Sequence, residues 1–78
     1  MHVHLELLVE PFREGRPGPH VFAAVESLQA AGLEVDLGPF ASTSEGDVAD
    51  VAAAIGEMVT ASMGAGATKI TVQISAAG

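Results

Sequence analysis

Hydrophobic and polar residues alternate at the start of the chain and predict a β-strand with one buried face. The apolar side consists of Val3, Leu5, Leu7 and Val9, and the other side of His2, His4, Glu6, Leu8 and Glu10. This two-residue period is typical of a half-buried strand. Pro11 ends the strand because proline has no N–H to donate. Residues 13–18 read Arg-Glu-Gly-Arg-Pro-Gly, which predicts a loop.

A helical period follows the loop. Pro19 suits the first turn of a helix, and Gly32 is placed as its C-terminal cap. The apolar positions at helical spacing are Val21, Ala24, Val25 and Leu28. His20 falls in the first turn, where we expect a neutral ring or a water-bound surface position.

The rest of the chain predicts three more strands and a second helix. Leu33, Val35 and Leu37 alternate with polar residues and predict a second strand, and Gly38-Pro39 predicts a tight turn into a short third strand, about 39–43. Ser44 and Asp47 resemble a capping box and predict the start of a second helix. Its apolar stripe comprises Val48, Val51, Ala52, Ile55, Met58 and Val59. Gly64-Ala65-Gly66 ends that helix, and residues 69–74 alternate as a final strand.

The order βαββαβ predicts one ferredoxin-like α+β domain over residues 1–78. We expect a four-stranded antiparallel sheet with both helices on one face, the first and third strands central, and the last strand beside the first. Glu6 could then approach Thr71 or Lys69, with the register left open. The uncovered face is either solvated, shared between copies of the chain, or closed over a ligand.

The net charge and the length of the chain limit the kinds of partner that we expect. Ten acidic residues against Arg13, Arg16 and Lys69 give a net charge of −7, which disfavours nucleic acid and anionic membrane surfaces. No apolar run approaches the ~20 residues of a membrane span and no signal peptide is visible, so we expect a cytoplasmic protein. A chain of 78 residues without cysteine buries a small core, which favours association between copies.

The sequence contains few residues that could form a metal, ligand or catalytic site. His2, His4 and Glu6 share a strand face and could in principle hold zinc, but no second ligand cluster exists, and we predict no metal site. The Ser42-Thr43-Ser44-Glu45 cluster fits either a helix start or a ligand site. A nucleophile elbow and a phosphate-binding loop with lysine are missing from the sequence. Glu10 and Glu45 could pair as acid and base, but no electrophile accompanies them, so we predict neither an enzyme nor a cofactor.

Three segments resemble a known family. They are Glu10-Pro11-Phe12, Gly32-Leu33, and Pro39-Phe40-Ala41-Ser42 through Glu45-Gly46. Their spacing is similar to that of the small YkoF-like family of thiamine-binding proteins, which are ferredoxin-like. Two positions differ, since Ala41 stands where glycine is common and Gln73-Ile74-Ser75 replaces a more basic ending.

The resemblance implies binding of thiamine or its hydroxymethylpyrimidine moiety, at sites between units that form a homodimer or homotetramer. The expected ligand-binding residues are Glu45, Ser42, Thr43, Glu10, Gln73 and Phe40. A carboxylate can balance the thiazolium charge, hydroxyl and amide groups can complement the pyrimidine, and Phe40, Phe22 or Phe12 could stack on a ring.

Two other functions stay open at this level. The domain could be a ligand-free oligomerisation or regulatory module, because the same fold hosts many functions. It could also be an enzyme of the dimeric ferredoxin-like type, which needs a deep cavity under the sheet. The alanine-rich helices favour close packing instead of such a cavity.

Overall fold

The computed structural model describes residues 1–11, 16–39 and 41–77. The elements are β1 (His2–Glu10), α1 (Pro19–Ala30), β2 (Val35–Leu37), β3 (Ser42–Asp47), α2 (Val48–Gly64) and β4 (Lys69–Ala76). The four strands form one antiparallel sheet in the order β2-β3-β1-β4. This confirms the predicted ferredoxin-like α+β fold, with β1 and β3 central and β4 beside β1.

The core lies between the sheet and the two helices. It is built by the buried side of β1 and by residues of both helices, together with Leu33: Val3, Leu5, Leu7, Val9, Ala24, Leu28, Leu33, Val51, Ala54 and Met58. The alternate residues of β1 point to the other side of the sheet, which the described residues leave uncovered. The two-residue period of β1 therefore sets which side is buried.

Helix α1 begins and ends where the sequence predicts. Pro19 occupies the first turn, and Gly32 adopts a left-handed φ of 91° just after the helix. The Leu33 amide donates back to the Leu28 carbonyl oxygen at 3.1 Å, which closes the last turn. His20 is buried, not on the surface, and its Nε2–H donates to the Pro11 carbonyl oxygen at 2.6 Å.

The third strand is present, but its predicted bounds, about 39–43, are wrong, and so is the predicted helix start at Ser44. The Gly38 amide donates to the Ala41 carbonyl oxygen at 3.1 Å, and β3 begins only at Ser42. Ser44 lies in the middle of β3, where its hydroxyl donates to the Glu34 carbonyl oxygen at 2.5 Å. The helix cap is Asp47, whose Oδ2 accepts the Ala49 amide at 3.2 Å.

The predicted stripe of α2 is half right. Val51 and Met58 are buried and Ile55 is partly buried, whereas Val48, Ala52 and Val59 are exposed. The smaller residues Ala54 and Ser62 complete the buried line instead. Ser62 is fully buried, and its hydroxyl donates to the His20 carbonyl oxygen of α1 at 2.8 Å. Small side chains thus form part of the contact between the helices. No helix in the described ranges is long and apolar enough to cross a membrane.

Candidate ligand-binding site on the open sheet face

The side of the sheet opposite the helices, here called the open face, carries a row of four polar residues, one from each strand. The strand register places Asp36 opposite Thr43, Thr43 opposite Glu6, and Glu6 opposite Gln73. Directly opposed residues have Cβ atoms about 5 Å apart, so these four side chains are immediate neighbours. The predicted neighbour of Glu6 was Thr71 or Lys69, and the register assigns Gln73 instead.

A second row lies one pair closer to the start of β1. Glu45 of β3 stands opposite His4, and His4 stands opposite Ser75 of β4. One carboxylate oxygen of Glu45 lies 3.2 Å from His4 Nδ1 and 3.4 Å from His2 Nε2. Both contacts become ion pairs when the imidazoles are protonated.

Two depressions are centred on these rows. One, of about 660 Å³, lies beside Glu45 and His4 at the edge near β2 and reaches Gln29 and Leu33 behind the sheet. The other, of about 680 Å³, spreads over Glu6, Thr43 and Gln73. His4 and Thr43 line both depressions, so the two form one continuous surface.

The short edge strand explains the first depression. The pairing of β2 with β3 begins at Val35 opposite Ser44, so no described residue of β2 stands opposite Glu45. Glu45 is therefore flanked by β1 on one side only, and its side chain keeps 57 % of its surface exposed. We call this gap at the sheet edge the corner notch.

The structure brings together some of the predicted site residues and separates others. Thr43, Glu45 and Gln73 all lie on the open face, with Glu6 of β1 between Thr43 and Gln73. Ser42 points to the opposite side, with only 4 % of its surface exposed. Glu10 is on the open face but six residues along β1 from His4, which is about 20 Å at the rise of a strand. A direct acid–base pair of Glu10 and Glu45 is wrong for that reason.

Of the three predicted aromatic partners, the structure describes Phe22. Phe40 and Phe12 fall outside the described residues. Phe22 belongs to α1, in the layer on the other side of the sheet, where it is 46 % exposed.

The sequence interpretation missed His4, Glu6 and Asp36 as members of this site. The alternation of β1 assigned His4 and Glu6 to the correct face, but only the register shows that Glu45, not Glu6, is the carboxylate beside the two histidines. In the described ranges no group of three or more His, Asp or Glu residues is arranged to hold a metal ion.

The site is acidic. Glu6, Asp36 and Glu45 lie in or beside the two rows, while Lys69 stands opposite Glu10 toward the far end of β1. Next to Glu45 along β3, the pKa of the Asp47 carboxyl is held below its ordinary value by a hydrogen bond from the Met1 ammonium group, and then by the Ala49 amide. The open face therefore favours cations and hydrogen-bond donors over anions.

The fold and the site define a small ferredoxin-like domain whose uncovered sheet face is polar and acidic. The chain belongs to the thiamine-binding protein family, whose family model matches residues 5–77. This finding confirms the resemblance noted in the sequence. No curated protein matches the chain.

Several solved structures share the fold. A domain of unknown function from Bacillus cereus is 23 % identical, with a TM-score of 0.68 over 95 % of this chain and 72 % of that one. A candidate thiamine biosynthesis/salvage protein from Thermotoga maritima is 20 % identical, with a TM-score of 0.69 over 96 % and 81 %. A hypothetical protein from Methanocaldococcus jannascii is 17 % identical, with a TM-score of 0.70 over 95 % and 76 %.

Proposed function

We propose that this protein binds thiamine or its hydroxymethylpyrimidine moiety without catalysis, at a site on the open face that a second subunit completes. The observation that carries the proposal is the convergence of Glu45, Thr43 and Gln73 on one acidic sheet face in a member of the thiamine-binding family.

The chemistry of these side chains suits the two halves of the ligand. Thiamine carries a permanent positive charge on its thiazolium ring, which the Glu45 carboxylate can balance. Its aminopyrimidine presents donors and acceptors together. The Gln73 amide offers both a carbonyl oxygen and an NH₂ group, and the Thr43 hydroxyl can donate or accept. Glu6 lies between Thr43 and Gln73 and adds an acceptor for the amino group.

The other predicted residues take different roles in the proposal. Ser42 supports β3 from the core side, since its hydroxyl is turned away from the open face. Glu10 belongs to the far end of β1 and is an outer member of the site at most. Phe40 lies outside the described residues and stays the predicted aromatic partner.

We infer a second subunit because the site on one subunit is too exposed to enclose a ligand. Small-molecule sites typically bury 70–90 % of the ligand surface. A ligand lying on the open face contacts one side of the sheet only, and the side chains of Glu45, His2 and His4 are each more than half exposed. A second copy placed over or beside the face supplies the missing cover.

Isothermal titration calorimetry with thiamine and with hydroxymethylpyrimidine tests the proposal. We expect Glu45→Gln to weaken thiamine binding about fivefold, because an ion pair at a half-exposed site contributes up to about 1 kcal/mol. The same substitution should weaken the binding of the neutral hydroxymethylpyrimidine less. Glu26→Gln, at an exposed position on α1, is the matched control and should bind like wild type.

Two outcomes contradict the proposal. One is the absence of heat and of thermal stabilisation with millimolar thiamine. The other is an equal affinity of wild type and Glu45→Gln for thiamine. A protein that assembles but gives no heat with either ligand would instead fit the ligand-free oligomerisation module.

A further inference from the structure

The charges that line the proposed site have one sign. Four acidic residues line the two depressions: Glu6, Glu34, Asp36 and Glu45. Neither lysine nor arginine is among the described residues that line them. Glu34, Asp36 and Glu45 all line the depression at the corner notch. The electrostatic potential of the site is therefore negative, and most strongly so at the notch.

The described basic side chains stand at the other end of the sheet. Lys69 is opposite Glu10, which lies six residues along β1 from His4, or about 20 Å at the rise of a strand. Arg16 lines a separate depression of about 250 Å³ beside Pro11, the residue that follows β1. Within one subunit, neither side chain can reach a group held beside Glu45.

The helix start nearest to Glu45 offers no free place for an anion either. The N-terminus of a helix attracts phosphate through its amide groups. In α2 a carboxylate of the chain already occupies this position, since Asp47 Oδ2 accepts the Ala49 amide at 3.2 Å. Asp50 adds a second acid in the first turn. The described part of the site thus lacks the groups that usually hold a phosphate.

We infer that the site proposed above accepts the unphosphorylated ligand and excludes its phosphate esters. Thiamine ends in an alcohol, and phosphorylation turns this neutral end into a group with a charge of about −1.5 to −2 at neutral pH. The ligand as a whole then changes from a cation to an anion. The inference rests on the proposed function, because it names the chemical form of the ligand that this site selects.

Repulsion at short range gives the selectivity. A short ethyl chain joins the alcohol to the thiazolium ring, so a phosphate on it stays near the carboxylate that balances the ring. Salt screens charges strongly only beyond the Debye length, about 8 Å at physiological ionic strength. A phosphate beside Glu45 therefore meets this carboxylate together with Glu34 and Asp36, and no described lysine or arginine of the notch balances its charge.

Isothermal titration calorimetry of wild type with thiamine, thiamine monophosphate and thiamine diphosphate tests the selectivity. We expect the monophosphate to bind at least about tenfold more weakly than thiamine, and the diphosphate more weakly still. The ratio of the two affinities, thiamine to monophosphate, should shrink in about 0.5 M sodium chloride, because salt screens the repulsion.

A charge-neutralising variant tests the residues. Glu34 and Asp36 are both exposed, so their substitution leaves the core untouched. We expect Glu34→Gln combined with Asp36→Asn to lower the ratio of thiamine to monophosphate affinity at least about threefold. Glu26→Gln is the matched control, because it removes a charge at an exposed position on α1, and it should leave the ratio unchanged.

The inference is overturned if wild type binds the monophosphate as tightly as thiamine, or if neither salt nor the double variant changes the ratio. Thiamine binding without such discrimination refutes the selectivity alone and leaves the proposed function intact. Failure of all three compounds to bind at millimolar concentration refutes the proposed function, and the selectivity with it.

Discussion

Gly46, beside Glu45 in β3, is placed where the structure leaves no room for a side chain. A Cβ built at this position would lie 3.0 Å from Leu33 Cδ2 and 3.5 Å from Val51 Cγ2. Favourable contacts between carbon atoms are about 3.5–4.0 Å, so Leu33 must move by a few tenths of an ångström. We expect Gly46→Ala to destabilise the domain by about 1 kcal/mol and Gly46→Val by about 2–3 kcal/mol, in the range typical of overpacked cores.

Thermal and urea unfolding, followed by circular dichroism, measures this effect. In a domain of this size 1 kcal/mol shifts Tm by about 4–8 °C, so Gly46→Ala should melt several degrees lower than wild type. Gly56→Ala is the matched control, because apart from its chain neighbours and the backbone of its own helix no described heavy atom lies within 4 Å of the Cβ built at Gly56. Gly56 lies inside α2, and alanine there should stabilise the domain by about 0.5–1 kcal/mol.

The expected effects of the two alanine substitutions have opposite signs, which makes the reasoning refutable. If Gly46→Ala is as stable as wild type or more stable, Leu33 moves aside freely and the close contact does not explain the glycine. If both variants gain equally, the loss of backbone freedom in the unfolded chain outweighs packing at both sites.

Three further predictions concern polar contacts within the fold. Ser44→Ala should cost about 1 kcal/mol and speed amide exchange in β2, because the hydroxyl no longer donates to the Glu34 carbonyl oxygen. Ser62→Ala should cost a similar amount, about 1 kcal/mol, measured by urea unfolding, since it removes the buried hydrogen bond between the helices. The Asp47 carboxyl has a pKa below its ordinary 3.8, so its stabilising contribution is complete above that value and is lost as the pH falls through the lower folded-state pKa. The Tm difference between wild type and Asp47→Asn should therefore shrink on acidification below about pH 4, and a difference independent of pH would contradict this assignment.

The sequence predicted the layers of this fold well and the third strand poorly. The apolar alternation in β1 is strong because each inward residue is Val or Leu, and the structure buries all four of them. Strand β3 reads STSEGD, without an apolar residue, and its hydroxyls and acids resemble a helix start. Pairing with β1 holds these residues in the sheet, and that tertiary contact leaves no local pattern.

The sequence predicts which residues belong to the candidate site, but not how they lie relative to one another. Glu45, Thr43 and Gln73 were all named from the sequence, and the alternation of β1 assigned Glu6 and His4 to the exposed side. Which of them are neighbours depends on the registers of the β1–β3 and β1–β4 pairs, which join strands far apart in the sequence and are not set by any local turn. Ser42 belongs to the segment that resembles the family, yet it faces the core because adjacent strand residues face opposite sides.

The corner notch connects the two layers of the domain, the sheet and the helices. Its lining passes from Glu45 around the edge of the sheet to Gln29, near the C-terminal end of α1. A ligand bound there contacts both α1 and the sheet, and it spans the turn at Gly32 that joins them. Ligand binding in the corner notch should therefore reduce the motion of the connection between α1 and β2. Binding on the open face is in this way coupled to the helix layer.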